Sequence, residues 1–259
     1  MDNIFFLSGL PRSGSTLLAS ILSQNPEVYV SPTSPLLDLF CKTDEALNFL
    51  HENYTFDLEE VSKNIYQGLS VNYYKNIEKK YIIDKHRGHP KNVLPLKKFV
   101  TDNPKIICLI RPIAEIITSY IKLINLSDKN NFVDEHLSGV NLKPTTENRA
   151  SVLWNEYISD PYNSTKIGLE NYRDCILTVQ YDDLVLDSKN TIRKIYDFLN
   201  LPRFENHNFN NIKNYCTEKD DKWGIENLHR VREVLNKTST DPNLILGSFL
   251  TKFYNEFSF

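Results

Sequence analysis

The sequence predicts an α/β fold of three layers, a central and mostly parallel β-sheet flanked by helices, and three observations carry that expectation. Short, fully apolar runs recur along the chain, each bounded by charged or turn residues. Longer stretches of helical periodicity separate them. The first apolar run passes through a glycine-bounded turn straight into a helical pattern. Strands alternating with long helical stretches imply right-handed crossovers and a parallel sheet.

The elements follow in order. Ile4 to Leu7 is the first strand and ends in Gly9-Leu10-Pro11, after which Leu17, Leu18, Ile21 and Leu22 recur at helical spacing. A helical stretch over 58–79 leads to a second strand at Tyr81-Ile82-Ile83. A third strand, Ile106 to Ile110, precedes a helix over 113–126. The polar segment from Ser127 to Thr146, with Gly139 and Pro144, reads as an exposed loop or short lid. A helix over 148–172 leads to the strand Ile176-Leu177-Thr178-Val179, and a last one over 189–199 has Asp187 or Ser188 as its cap and Pro202 beyond its end. No repeat, low-complexity tract or linker divides the 259 residues, so one domain over 1–259 is expected.

Composition sets several functions aside. The 41% apolar and 24% charged content is that of an ordinary globular protein. A net charge of -3 argues against a nucleic-acid binder, which needs an excess of Lys and Arg on one face, so any anion site must be local. Cys41, Cys108, Cys175 and Cys216 form no C-x-x-C pair and read as reduced, with no zinc or redox signature. No apolar stretch approaches the roughly 18 residues that span a bilayer. A strand begins almost at once and leaves no room for a signal peptide, so the cytoplasm is the expected compartment. Nothing in the sequence speaks to oligomeric state.

The loop "GLPRSGST" carries the first functional signal. Gly9 and Gly14 keep the spacing of the nucleotide-binding P-loop G-x-x-x-x-G-K-[ST], but Ser15 stands where the lysine would be. In a parallel sheet, ligands bind beyond the carboxyl ends of the strands, where a loop entering a helix offers free N–H groups and a positive dipole end. Glycines let such a loop curl around an oxyanion, Ser13, Ser15 and Thr16 add hydroxyl donors, and Arg12 supplies charge. The fold class is therefore sharpened to the P-loop-containing nucleotide-binding type.

These residues resemble the sulfotransferases that use 3'-phosphoadenylyl sulfate (PAPS), whose 5'-phosphosulfate loops read P-K-S-G-T-T-W or P-R-S-G-T-T-L. Pro11-Arg12-Ser13-Gly14-Ser15-Thr16-Leu17 is similar at every position, and the longer string "SGLPRSGSTLLASILSQNPEVYVSPTSPL" looks most like the bacterial-type branch. The family's 3'-phosphate motif is an Arg after a central strand with a Ser eight residues on, and "RPIAEIITSY" places Arg111 and Ser119 at that spacing. Eight residues is a little over two helical turns, which puts both on one side of a helix. Tyr181-Asp182-Asp183-Leu184 resembles the family's Y-E-D-L segment, whose tyrosine approaches the adenine. "KWGIENLHRVREV" resembles a variable loop that closes over the 3'-phosphate, with Arg230 and Arg232 as its candidate cations.

The resemblance implies an enzyme that moves the sulfuryl group from PAPS to a hydroxyl acceptor in line and releases the bisphosphate PAP, with no metal. Arg12 and Lys85, in "IIDKHRGHP", are then the cations near the reacting sulfate. The general base is where this chain departs from its relatives. The stretch Val30-Ser31-Pro32-Thr33-Ser34-Pro35 lacks the carboxylate of the tyrosylprotein branch, and His86 follows Lys85 directly, whereas the cytosolic enzymes place a His two residues beyond the Lys. His86 is the first choice for a base, with His89 and Asp84 behind it. Two other readings stand beside this one: a P-loop small-molecule kinase with Asp84 as magnesium ligand, and a non-catalytic nucleotide-binding protein. The acceptor pocket is expected along Ser31 to Phe40 and Ser127 to Thr146, and a sugar, small alcohol, phenol or peptide tyrosine all fit.

Overall fold

The computed structural model describes residues 3–55, 58–127, 130–215, 218, 220–237 and 240–259; Cys216 lies outside them. The chain runs β1 (Ile4–Gly9), α1 (Ser15–Leu22), β2 (Val28–Thr33), α2 (Leu36–Asn53), α3 (Glu59–Tyr73), β3 (Tyr81–Lys85), α4 (Val93–Phe99), β4 (Ile106–Ile110) and α5 (Ile113–Asn125). It continues through α6 (Phe132–Gly139), α7 (Thr146–Val152), α8 (Ser159–Asn171), β5 (Ile176–Gln180), α9 (Tyr181–Leu186) and α10 (Ser188–Leu199) to α11 (Pro242–Asn255), which kinks at Gly247. The five strands form one parallel sheet in the order β2-β3-β1-β4-β5.

β1 lies at the centre of that sheet and is buried along its whole length, as a continuous apolar run in a parallel sheet must be. Its side chains alternate between the two faces. Phe5 and Leu7 pack with Leu18, Ile21 and Leu22 of α1 and with Ile192, Ile195 and Leu199 of α10. Ile4 and Phe6 pack on the opposite face with Leu36, Leu37 and Phe40 of α2 and Leu96 of α4. A third apolar cluster joins α5, α6, α7, α8 and α11, around Ile117, Ile121, Leu137, Ala150, Ile158 and Tyr254.

The sequence-predicted strands all form, and β2 is an addition. Pro32 argues against a central strand, and the structure agrees with the physics: β2 is the edge strand, paired only with β3, and its register shifts between Val30 and Thr33. The stretch over 148–172 is α7 and α8 joined by a wider π-helical turn, Leu153–Ile158. The segment from Ser127 to Thr146 is not simply an exposed loop. Within it Asn131 caps α6, accepting hydrogen bonds from the Val133 and Asp134 N–H groups, and Val133 and Leu137 are fully buried one turn apart. A polar composition concealed a two-turn helix with one apolar stripe.

The strand order positions the site. β1 is flanked by β3 and β4, so the residues that follow all three strands emerge side by side, with Leu7 paired to Lys85 and Gly9 to Leu109. Gly9 is required there: at φ +146 a Cβ would lie 2.6 Å from the Leu109 carbonyl oxygen.

Candidate active site

The loop after β1 is closed by its own hydrogen bonds. The Ser13 N–H (3.3 Å) and Ser13 hydroxyl (2.6 Å) both donate to the Leu10 carbonyl, and the Leu10 N–H donates to Leu109 across the sheet. Ser13 is fully buried and its hydroxyl is committed to the turn, so it shapes the loop and does not face outward as the sequence reading expected. Arg12 has φ 58, and this left-handed backbone is held by Arg111, whose Nη1 donates to the Arg12 carbonyl at 3.1 Å. Gly14, at φ 93, has no room for a side chain because a Cβ would meet the Tyr181 ring at 2.9 Å. No side chain caps α1, which leaves the N–H groups of its first turn to the solvent side of the loop.

That loop forms one wall of a cavity of about 280 Å³. Arg12, Gly14, Ser15 and Thr16 line it from the loop, Lys85 from the end of β3, and Arg111 and Ser119 from the entry and middle of α5. Tyr181 borders it beyond β5, and Arg230 and Arg232 line it from the segment that precedes α11. Apart from Ser13 and the candidate bases His86, His89 and Asp84, every residue singled out for catalysis or cofactor binding is brought to this cavity.

Its electrostatics are dense. Arg12 Nε donates to Ser119 Oγ at 3.3 Å, and Nη1 donates to the Leu228 carbonyl. Burial pushes the Arg12 guanidinium below its ordinary value; Tyr120 opposes this and Arg111 adds to it. Arg111 Nε donates to Glu115 at 3.1 Å, and the guanidinium lies 4.3 Å over the Tyr181 ring, so one side chain is oriented by a carboxylate, a carbonyl and an aromatic face. Arg111 and Ser119 face one cavity, although the serine hydroxyl is engaged by Arg12.

Lys85 Nζ donates to Glu218 Oε1 at 2.7 Å and to Thr16 Oγ1 at 3.3 Å. Glu218 Oε1 also accepts from the Thr33 hydroxyl at 3.1 Å, and Oε2 lies 3.1 Å from His229 Nε2. Burial alone would raise the Glu218 carboxyl, but Lys85, His229 and Thr33 overcome it and bring its pKa to about 2. On the far side of the imidazole, Asp220 Oδ1 is 2.6 Å from His229 Nδ1, and Asp220 Oδ2 accepts the His229 backbone N–H at 3.1 Å. Lys85, Glu218, His229 and Asp220 form a continuous chain of contacts.

The bases expected from sequence lie elsewhere. His86 does not line the cavity: its Nδ1 accepts the Gly88 N–H at 3.0 Å, and its Nε2 lies 3.5 Å from Asp38. Burial lowers its pKa, with His89 adding to the effect and Asp38 opposing it. His89 and Asp84 are buried partners of each other at 2.9 Å, and Tyr74 donates to the other oxygen of Asp84. Asp84 thus has no access for the magnesium ion that a kinase would place on it. Glu218, Asp220 and His229 escaped the sequence reading because they share no strand or helix. Their only signal was a His beside Arg230 in a string already tied to phosphate.

Comparison with known proteins adds to this geometry. The model described as "Sulfotransferase family" matches residues 5–206. The fold is similar to the sulfotransferase domain from the curacin biosynthetic pathway, with TM-score 0.51 and 21% identity over 93% of this chain and 84% of that one. It is similar to the sulfotransferase domain of the Synechococcus PCC 7002 olefin synthase, with TM-score 0.51 and 21% identity over 98% and 93% of the two chains. Mouse sulfotransferase SULT7A1 complexed with PAP gives TM-score 0.53 and 15% identity over 99% and 89%. No curated protein matches the sequence.

Proposed function

The chain belongs to the sulfotransferase family, and on that premise we propose that its cavity binds PAPS and transfers the sulfuryl group to a hydroxyl acceptor, releasing PAP. The observation that carries this reading is the convergence of Arg12, Lys85 and Arg111 at the carboxyl ends of three adjacent strands, around a loop that leads into an uncapped helix. A site with that many fixed donors in so small a space suits a ligand with several separated anionic groups.

Each donor then has a place. The N–H groups at 14–16 and the hydroxyls of Ser15 and Thr16 hold the 5'-phosphosulfate, with Arg12 beside it. Arg111 and Ser119, joined by Arg230 or Arg232, hold the 3'-phosphate, and Tyr181, packed on Gly14 and under Arg111, borders the adenosine. In-line displacement at sulfur builds negative charge on the bridging oxygen. Arg12 and Lys85 stabilise that charge more in the transition state than in the ground state, which is what acceleration requires. Lys85 exchanges its contact with Glu218 for the sulfuryl group as it does so.

Cytoplasmic location belongs to the same reading. Cys41, Cys108 and Cys175 are free thiols, and among the described residues no helix is long and apolar enough to cross a membrane. The direct test is ligand stabilisation: millimolar PAP should raise the melting temperature by mass action, with or without magnesium. A chain whose melting temperature ignores PAP does not have this site.

A further inference from the structure

We infer that His229 is the general base of the transfer reaction, with Asp220 as its positioning residue and Glu218 holding the place of the reacting groups between His229 and Lys85; this rests on the sulfotransferase reading above. His229 lines the cavity and its side chain is 14% exposed, so the imidazole is both accessible from the site and largely shielded from water. Asp220 grips it twice, at the ring Nδ1 (2.6 Å) and at the backbone N–H (3.1 Å). A carboxylate on Nδ1 favours the tautomer whose proton lies there, so that Nε2 is the nitrogen left to accept a proton from the cavity once Glu218 has withdrawn from it, the same division of labour as in other His–Asp pairs.

Nε2 points at the right place. Glu218 bridges from His229 Nε2 (3.1 Å) to Lys85 Nζ (2.7 Å), and the Thr33 hydroxyl supports the same carboxylate. A planar anion between a catalytic cation and an imidazole is a fair stand-in for a sulfonate and the oxygen attacking it. Glu218 itself is ill suited to take a proton, since Lys85 and His229 outweigh its burial and hold its carboxyl at about 2. The charged groups in contact with His229 are Glu218 and Asp220, with Lys85 beyond Glu218; Asp220 in turn also acts on Arg12. Once the sulfuryl group draws Lys85 away, the Glu218 side chain turns out of the gap and the acceptor hydroxyl takes its position.

The step balances. The acceptor O–H bond breaks and its proton passes to Nε2, and the freed oxygen pair forms the new O–S bond. The bond from sulfur to the bridging oxygen breaks, and its electron pair leaves on the 5'-phosphate of PAP. His229 returns the proton to solvent as the products leave.

The test uses the full chain, PAPS as donor, PAP release as the readout, and three acceptors of falling pKa: 2-phenylethanol, phenol and 4-nitrophenol, the last already substantially ionised at neutral pH and more so at mildly alkaline pH. Wild type and His229→Gln should show the same PAP-induced rise in melting temperature. His229→Gln should lose roughly a hundredfold or more in turnover with 2-phenylethanol and phenol, the usual worth of a general base, and little with 4-nitrophenol, which needs none. The acid limb of the wild-type pH profile should vanish in the variant. Asp220→Asn should move that limb and reduce kcat more than it alters KM, and His229→Asn, which keeps an amide for Asp220, covers the case in which the Gln variant does not fold. Equal losses on all three acceptors, or an acid limb unmoved in both His229 variants, overturn the assignment. A wild-type chain that PAP does not stabilise fails earlier, at the cofactor reading, and takes this inference with it.

Discussion

The cavity has two walls of different construction. One wall follows the strands: the loop that leaves β1 at Gly9, Lys85 at the end of β3, and Arg111 and Tyr181 just after β4 and β5 line it, and the sheet register sets their spacing. The opposite wall, the run from Leu228 to Asn236 with Glu218 and Asp220 held against His229, has among the described residues one short 3-10 turn at Asp220–Trp223 and no strand. It is anchored by Ile225 and Leu228 in the core and by isolated backbone bonds such as Ile212 N–H to Glu233 (2.8 Å). Two further attachments go to the cations themselves, Leu228 to Arg12 and Glu218 to Lys85. The family match ends at residue 206, before that second wall begins. The strand-end wall supplies the cations that the sheet sets in place, while the other supplies Arg230, Arg232 and the inferred base His229 and, at Glu218, a partner that a ligand must replace. Variants of the first should therefore remove charge stabilisation, those of His229 should remove the base, and those of Glu218 should retune binding.

The sharpest way to break this division is at Arg12 and Lys85. Alanine at either should cut turnover, read as PAP release from PAPS, by roughly a hundredfold or more, because each stabilises charge that grows in the transition state. The two should part company in binding. Arg12→Ala should also weaken PAP, since that side chain meets phosphate in the ground state, whereas Lys85→Ala should leave PAP affinity near wild type. Titration calorimetry that finds equal PAP losses would merge the two roles and erase the distinction between phosphate and sulfuryl contacts.

Arg111 gives the next effect in size. Arg111→Ala should weaken PAP more than tenfold, since a charge-assisted phosphate contact is worth about 1.5–3 kcal/mol. The same variant should also loosen the loop, because Arg111 holds the Arg12 carbonyl. Ser119→Ala should act in the same direction and more mildly, its hydroxyl being an acceptor for Arg12. Wild-type PAP affinity in both variants would move the 3'-phosphate off α5.

The two walls also differ in how far they could be read from sequence. The strand-end wall was legible because local rules generate it: an apolar run, a turn with two glycines and a helical pattern give a strand, a loop and an α1 entry, and Arg111 with Ser119 follow from helical spacing. At Ser13, residue type names a donor but not its direction, which is into the turn. His86 lies off the cavity because position after a strand does not say which face a side chain takes. Thr33 entered the reading only as part of a stretch without a carboxylate, yet it reaches Glu218 from the edge strand that Pro32 disguised. The second wall carries no periodicity at all. Glu218, Asp220 and His229 meet through loop conformation, which a sequence pattern does not encode.

The smallest expected effect is also the one that best isolates the second wall. Glu218→Gln keeps the shape of the side chain and removes the charge that competes for Lys85. PAPS should then bind severalfold more tightly while PAP, which has no sulfuryl group to offer Lys85, should bind as before. The same variant should change the acid response. Glu218 has an ordinary value of 4.5 and is brought to about 2 in the fold, so between those values the unfolded chain binds a proton that the folded chain does not. The stability from this carboxylate is therefore complete above pH 4.5 and is lost as the pH falls toward 2. In that window the wild-type melting temperature should fall more steeply than that of Glu218→Gln, by a modest margin because the pair is partly open to solvent screening. If Glu218→Gln weakens PAPS and PAP alike, the glutamate is a scaffold for the cavity and not a competitor within it, and the second wall is as fixed as the first.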